Sequence, residues 1–104
     1  MDTRDLVDQL NAFADAESIK EFLKLMDVKG YPQDEESCPI SNWIRRSNPD
    51  CVVTTTQTIA VYRNIYAIYD PSEEYQISPA VLDFIRKFDE GLFPELEIED
   101  YYYE

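Results

Sequence analysis

The pattern of hydrophobic and polar positions is most distinctive in the stretch Cys51–Asp70, CVVTTTQTIAVYRNIYAIYD. It is rich in β-branched and aromatic residues and contains no glycine or proline, a composition typical of strands in a half-buried sheet. Thr56-Gln57 and Arg63-Asn64 are suited to tight turns, since asparagine tolerates a positive φ. The stretch therefore predicts a three-stranded antiparallel meander.

Two-residue turns would place Val52 opposite Val61 and Thr54 opposite Ile59, which assigns each side chain to a face. The predicted core face carries Val52, Thr54, Ile59, Val61, Tyr66 and Ile68. The second face carries Cys51, Val53, Thr55, Thr58, Ala60, Tyr62, Ile65, Ala67 and Tyr69. The second face is too apolar to lie wholly in water. Either the N-terminal helices or the C-terminal tail cover it, or its tyrosines form an association surface, including a homodimer contact.

Two segments before the sheet have apolar residues at helical spacing. Residues 4–14 predict a short amphipathic helix. A second helix is expected to begin at Asp15 or Ser18 and to end near Asp27, before Lys29-Gly30. One helix bent near Asp15 fits the same pattern equally well. The apolar stripe of the second segment consists of Ile19, Phe22, Leu23 and Met26.

A third helix is expected to begin at Ser37 or Cys38, because Pro39 suits a first turn in which the missing N–H is not needed. Asn48-Pro49 ends it, and Ile40, Trp43 and Ile44 form its apolar face.

The fourth helix lies after the sheet and has the clearest boundaries. Ser78-Pro79 provides the N-cap and the first helical residue, and Gly91 closes the helix. Its stripe consists of Val81, Leu82, Ile85 and Phe88, with Phe84 alongside. Leu92 and Phe93 are expected to fold back on the core, and Pro71–Ile77, before the helix, is predicted to be a loop.

Together these elements predict an α+β fold, with a three-stranded antiparallel meander packed against about four helices. A chain of 104 residues is large enough for one core. We expect a single domain over residues 1–94 and an acidic, tyrosine-rich tail over residues 95–104.

The net charge of −13 is unevenly distributed. Residues 1–36 carry a net charge of −6 and residues 71–104 a net charge of −8, whereas residues 37–70 carry +1. Such a chain should be repelled by nucleic acid and by anionic membranes, and it should attract a basic protein. Its acidic, amphipathic N-terminus is unlike a signal peptide and no apolar run could span a bilayer, so we expect a cytoplasmic location.

Candidate chemistry is sparse. The chain contains no histidine, and Cys38 and Cys51 have no metal-binding spacing. We therefore expect no cofactor and no metal, two reduced thiols, and a protein that is not an enzyme. A small enzyme using carboxylates or Cys38 is the rival interpretation, because a thiol at a helix N-terminus can have a lowered pKa.

The functional interpretation is a non-enzymatic protein that acts through protein–protein contacts. A sharper alternative is an acidic inhibitor that imitates nucleic acid and occupies a basic groove on a DNA- or RNA-binding defence protein. Trp43 and the two arginines after it are residue types enriched at interface hot spots, although Trp43 also suits a core position. The candidate interaction residues are Trp43, Arg45, Arg46, Tyr62, Ile65, Tyr69, Glu95, Glu97, Glu99 and Asp100.

Three motifs carry a resemblance to a known group of proteins: Cys38-Pro39-Ile40 before Trp43, Ser78-Pro79 opening a helix, and Phe88-Asp89-Glu90-Gly91 closing it. Over residues 16–96 the chain resembles small uncharacterised bacterial and phage proteins with a Cys-Pro helix, short strands and a closing Phe-Asp-x-Gly helix. The resemblance implies this order of elements and a phage or mobile-element origin. It implies no activity.

Overall fold

A computed structural model describes residues 2–63 and 70–98 of the chain. Within these residues the helices are α1 (Thr3–Asn11), α2 (Ala16–Leu25), α3 (Pro39–Ser47) and α4 (Pro79–Asp89). The strands are β1 (Val52–Thr55), β2 (Thr58–Tyr62) and β3 (Glu73–Gln76), and a short 3-10 turn covers Pro94–Leu96. The sheet is antiparallel with strand order β1-β2-β3, so the predicted α+β arrangement is confirmed.

Each α-helix begins at a side chain that accepts a hydrogen bond from the backbone of its first turn, as helix N-termini require. These caps are Asp2, Asp15, Cys38 and Ser78. The cap of α2 is therefore Asp15 rather than Ser18, and the cap of α3 is Cys38 rather than Ser37. Gly91 follows α4 with a φ of 82°, the left-handed conformation expected of a closing glycine.

The register of β1 against β2 differs from the prediction by one residue. Val53, not Val52, lies opposite Val61, and Thr55 lies opposite Ile59. Three residues, 56–58, separate the paired positions 55 and 59, whereas a two-residue turn was assumed. The extra residue exchanges the two faces of β1. Val53 and Thr55 are therefore buried, while Val52 and Thr54 are only half-buried.

The third strand is not where the sequence pattern places it. β3 lies within Pro71–Ile77, a segment predicted to be a loop, and it pairs Tyr75 with Ile59 and Glu73 with Val61. Glu73 and Tyr75 are half-buried, whereas Glu74 and Gln76 are exposed, so one face of the strand is open to solvent. The predicted strand with Tyr66 and Ile68 in the core lies outside the described residues.

The core lies between the inner sheet face and the helices. Ile59 and Val61 are fully buried, as predicted, and α3 packs against β1 while α2 packs against α4. The largest fully buried side chains include Phe84, Phe88, Leu10, Ile19, Leu23, Ile40 and Ile44. Three positions predicted to be apolar contacts are instead substantially exposed: Met26 (42%), Leu82 (40%) and Leu92 (56%). Each lies at an edge of its apolar stripe or just after a helix.

The last described residues return to the N-terminal half of the chain. The backbone N–H of Gly30 donates to Leu96, and the N–H of Ile98 donates back to Gly30, each at 2.9 Å. Leu96 is buried and the Glu95 carboxylate lies 3.2 Å from Lys20 Nζ. Residues 95–98, predicted to belong to the tail, therefore contact the rest of the domain. No helix within the described residues is long and apolar enough to cross a membrane.

Candidate functional site

A groove of about 740 Å³ opens between three segments that are distant in the sequence. One wall is the loop 33–36, the second is the β1–β2 turn at residues 55–57, and the third is the outer face of α4. Asp34, Glu35, Glu36 and Asp89 provide carboxylates, and Leu82 and Ile85 provide an apolar wall.

The loop that forms the first wall is fixed at both ends and in the middle. Gln33 adopts a positive φ of 62°, and its N–H donates to the Asp89 carboxylate at 2.8 Å, which joins the loop to α4. The carbonyl oxygen of Glu35 accepts from the N–H of Thr55 at 3.0 Å and from the Ser41 hydroxyl at 2.7 Å. These bonds tie the loop to β1 and α3, so the groove is formed before any partner arrives.

Cys38 and Thr55 line the groove, and together with the neighbouring Ser41 they form a buried polar cluster. The hydroxyl oxygens of Ser41 and Thr55 lie 2.7 Å apart, and Cys38 Sγ accepts from the N–H of Ser41 at 3.4 Å. Every buried side-chain nitrogen and oxygen in the described part of the chain has a hydrogen-bond partner. The Cys38 sulfur caps α3 through its contact with the Ser41 N–H.

The groove is negative because four carboxylates line it, while Arg86, the one cation among its described lining residues, is already paired. Arg86 Nη2 lies 2.6 Å from Asp83 Oδ1, and Arg86 Nη1 lies 3.2 Å from Glu90 Oε1. Hydrogen bonds from Arg86 and Lys87 lower the pKa of Asp83, which keeps this carboxylate charged. The carboxylates of Glu35 and Glu36 have no hydrogen-bond or ion-pair partner among residues 2–63 and 70–98.

Of the residues predicted to form an interaction cluster around Trp43, none lines this groove. Trp43 is buried and meets Phe22 edge to face at 5.2 Å between ring centroids. Arg45 donates to the Glu36 carbonyl at 2.8 Å. Arg46 donates to two backbone carbonyls just after α2, those of Met26 and Asp27, at 2.6 Å each. All three side chains thus have contacts within the fold.

The other predicted contacts are dispersed. Tyr62 is half-buried at the end of β2, and the Glu95 carboxylate pairs with Lys20. The backbone of Glu97 forms an isolated parallel β-bridge with Gly30. The pKa of Glu95 is lowered by hydrogen bonds from its own backbone N–H and from Lys20. The remaining four lie outside the described residues: Ile65, Tyr69, Glu99 and Asp100.

The groove itself was not found from the sequence. Sequence patterns place Asp89 only in the closing motif of α4 and assign no site to the acids of residues 34–36. The one available signal was an uninterrupted run of three acids with no cation within four residues of it. No group of three or more acidic or thiol side chains in the described ranges converges closely enough to hold a metal ion.

No protein-family model matches the chain, and neither the curated proteins nor the solved structures include a match to it. Any statement about its function therefore rests on the residues and geometry described above.

Proposed function

We propose that this protein acts without catalysis, by binding a partner protein through a basic segment of that partner, and that the acidic groove is the contact site. The observation that carries the proposal is the preformed arrangement of four carboxylates around a groove whose single lining cation is already bound to two acids. Two of these carboxylates, on Glu35 and Glu36, are left for a partner.

The physical basis is electrostatic complementarity on a rigid frame. The hydrogen bonds from Thr55 to Glu35 and from Gln33 to Asp89 have already ordered the loop, so binding does not have to meet that entropy cost again. The net charge of −13 steers a basic partner toward the surface and raises the association rate at low salt. Leu82 and Ile85 offer apolar surface to the aliphatic stem of a lysine or arginine.

One kind of partner surface that would fit is the basic, DNA- or RNA-binding surface of another protein. The protein would then act as a competitor for nucleic acid, and competition by added DNA is the measurement that distinguishes this case from other basic partners. The two buried, unpaired thiols suit a reducing compartment, and the proposal places the protein in the cytoplasm.

The test compares two double variants that change the net charge equally. Glu35→Gln with Glu36→Gln removes charge from the groove, whereas Asp8→Asn with Asp50→Asn removes the same charge from exposed positions elsewhere. Binding of an arginine-rich peptide is measured by titration calorimetry at low and high ionic strength. We expect the groove variant to bind about tenfold more weakly than the parent, corresponding to about 1.4 kcal/mol, and the control to bind within about twofold.

An equal loss of affinity in both variants would mean that the electrostatic field of the whole protein attracts the peptide. That result would refute the groove as the contact site. The same pair of variants, immobilised and exposed to cell lysate, then serves to identify a natural partner. A partner retained by the control and lost by the groove variant supports the proposal. Release of that partner by DNA supports the nucleic-acid competitor.

A further inference from the structure

A second concave surface lies beside α2 and has a different character from the acidic groove. It is a hollow of about 470 Å³ whose apolar residues are Phe13, Phe22 and Leu25. Leu25, in the last turn of α2, is 84% exposed, and Met26 directly after it is 42% exposed. A leucine with so much exposed area beside two phenylalanines is the kind of contiguous apolar patch that marks interaction sites.

The apolar part of the hollow is anchored to the core. The rings of Phe13 and Phe22 lie 5.2 Å apart, and Phe22 in turn meets the buried Trp43 at 5.2 Å. This chain of aromatic contacts holds the patch in place, because Trp43 has little room to move. A ligand would meet a preformed platform of aromatic and leucine side chains.

The rim of the hollow is acidic. Asp15, Glu17 and Glu21 line it, and none of the described lining residues is a cation, although Lys20 Nζ lies 2.8 Å from the Glu21 carboxylate. The backbone N–H of Ser18 lowers the pKa of Asp15, and a hydrogen bond from Lys20 lowers the pKa of Glu21, so both remain charged. Glu17 lies 3.6 Å from Lys87 of α4 and is otherwise exposed.

We propose that this hollow binds a short segment of a partner protein that presents apolar side chains flanked by lysine or arginine. Apolar side chains would pack on Phe22 and Leu25, and the flanking cations would face the three rim carboxylates. A hollow of about 470 Å³ has room for a few side chains rather than for a whole domain surface, which favours a single helix or strand.

Charge argues against two alternative occupants. A second copy of this chain placed on the hollow by a twofold axis would bring the same acids against one another, on molecules that each carry a net charge of −13. An anionic membrane would be repelled for the same reason. A basic, amphipathic segment is the occupant that satisfies both the apolar floor and the acidic rim.

The experiment uses the full chain and three synthetic peptides as probes. The first is an amphipathic leucine–lysine helix, the second has glutamate in place of each lysine, and the third has the composition of the first in scrambled order. The variant Leu25→Ala is compared with Leu92→Ala, a matched control at another exposed leucine. Both positions are exposed enough for the fold to tolerate the change, which circular dichroism checks.

We expect the leucine–lysine helix to bind the parent and the Leu92→Ala control equally, and to bind Leu25→Ala about tenfold more weakly. Its affinity should fall less with Glu35→Gln and Glu36→Gln than with Leu25→Ala, since the hollow and the groove share no lining residue. Nuclear magnetic resonance shifts should centre on Phe13, Phe22 and Leu25.

Several results would overturn the assignment: equal affinities of Leu25→Ala and Leu92→Ala, or equally tight binding of the glutamate or scrambled peptide. Leu25-dependent dimerisation without any peptide would assign the hollow to a second copy. Peptide binding that requires removal of residues 99–104 would assign it to this chain's own C-terminal segment.

Discussion

Single arginines illustrate how the negative surface arises. Arg46 donates to the carbonyl groups of Met26 and Asp27, just beyond α2, where backbone acceptors lack helical partners. Arg45 similarly donates to the Glu36 carbonyl. These two arginines bind backbone carbonyl oxygens, so they do not neutralise side-chain carboxylates by forming ion pairs with them. The acidity of the surface thus depends on where the cations bind as well as on how many acids there are.

The register of β1 can be tested with two adjacent valines. Val53 is fully buried opposite Val61, whereas Val52 is half-buried opposite Tyr62. We expect Val53→Asp to destabilise the domain by about 3–5 kcal/mol, because it buries a charge without a partner. Val52→Asp should cost less than about half as much. Urea unfolding followed by Trp43 fluorescence measures both, and equal losses would contradict the register.

The sequence could not distinguish these two valines. The run Val52-Val53-Thr54-Thr55 lacks any alternation of apolar and polar residues, so its buried face depends entirely on the length of the following turn. By contrast, Ile59 and Val61 of β2 are fully buried as predicted, and the small Ala60 between them is buried as well. The register of a hairpin depends on both strands and on the length of the turn between them. The pattern of one strand shows only which of its own residues share a face.

At the scale of elements, the helices were predictable and β3 was not. Each helix has a capping side chain at its start, and Pro39 and Pro79 reinforce two of these signals locally. β3 has the sequence Glu-Glu-Tyr-Gln, which has low strand propensity. Its contacts are long-range instead: Glu73 binds Arg63 at 2.7 Å, and Tyr75 packs against the core. Burial and the hydrogen bond to Glu73 raise the pKa of Tyr75 to about 12.

The two glycines provide a test of how the loop after α2 is held. A Cβ atom at Gly30 would overlap the backbone of residues 37–39, whereas one at Gly91 would meet nothing within 4 Å. We expect Gly30→Ala to cost more than about 2 kcal/mol because backbone must move. Gly91→Ala should cost only about 1 kcal/mol, from its left-handed conformation. Urea denaturation measures both, and a Gly30→Ala protein as stable as Gly91→Ala would show that the contact yields easily.

At the scale of the whole molecule, the groove depends on long-range folding. It combines residues 33–36, 55–57 and 82–89, and the folded chain brings them together through Gln33, Glu35 and Asp89. The net charge of −13 follows directly from the sequence, and the basic partner that it suggests stays a prediction. The sequence offers no means of placing α4 opposite the acidic loop, because that proximity follows from the packing of α2 against α4.

The excess of acids predicts how stability responds to salt. The described ion pairs lie at the surface, where each contributes little, while repulsion among the remaining carboxylates opposes folding. Added sodium chloride should therefore raise the unfolding temperature, by about 4–8 °C for each 1 kcal/mol of repulsion screened. In the variant Asp8→Asn with Asp50→Asn there is less repulsion to screen, so sodium chloride should raise the unfolding temperature by a smaller amount. A fall in unfolding temperature with salt would mean that ion pairs such as Lys20–Glu95 outweigh the repulsion.

The bridge between Gly30 and residues 96–98 also bears on when the protein can finish folding during synthesis. Lys20 and Glu95 are 75 positions apart, and Asn11 and Ser78, which share a hydrogen bond, are 67 positions apart. Leu96 completes the packing around α2 only after it has left the ribosome. Until then, α1 and α2 have emerged without their C-terminal contacts, and their apolar faces are open to chaperones. Closing such long loops is also slow, so the last step of folding is expected to follow translation of these residues.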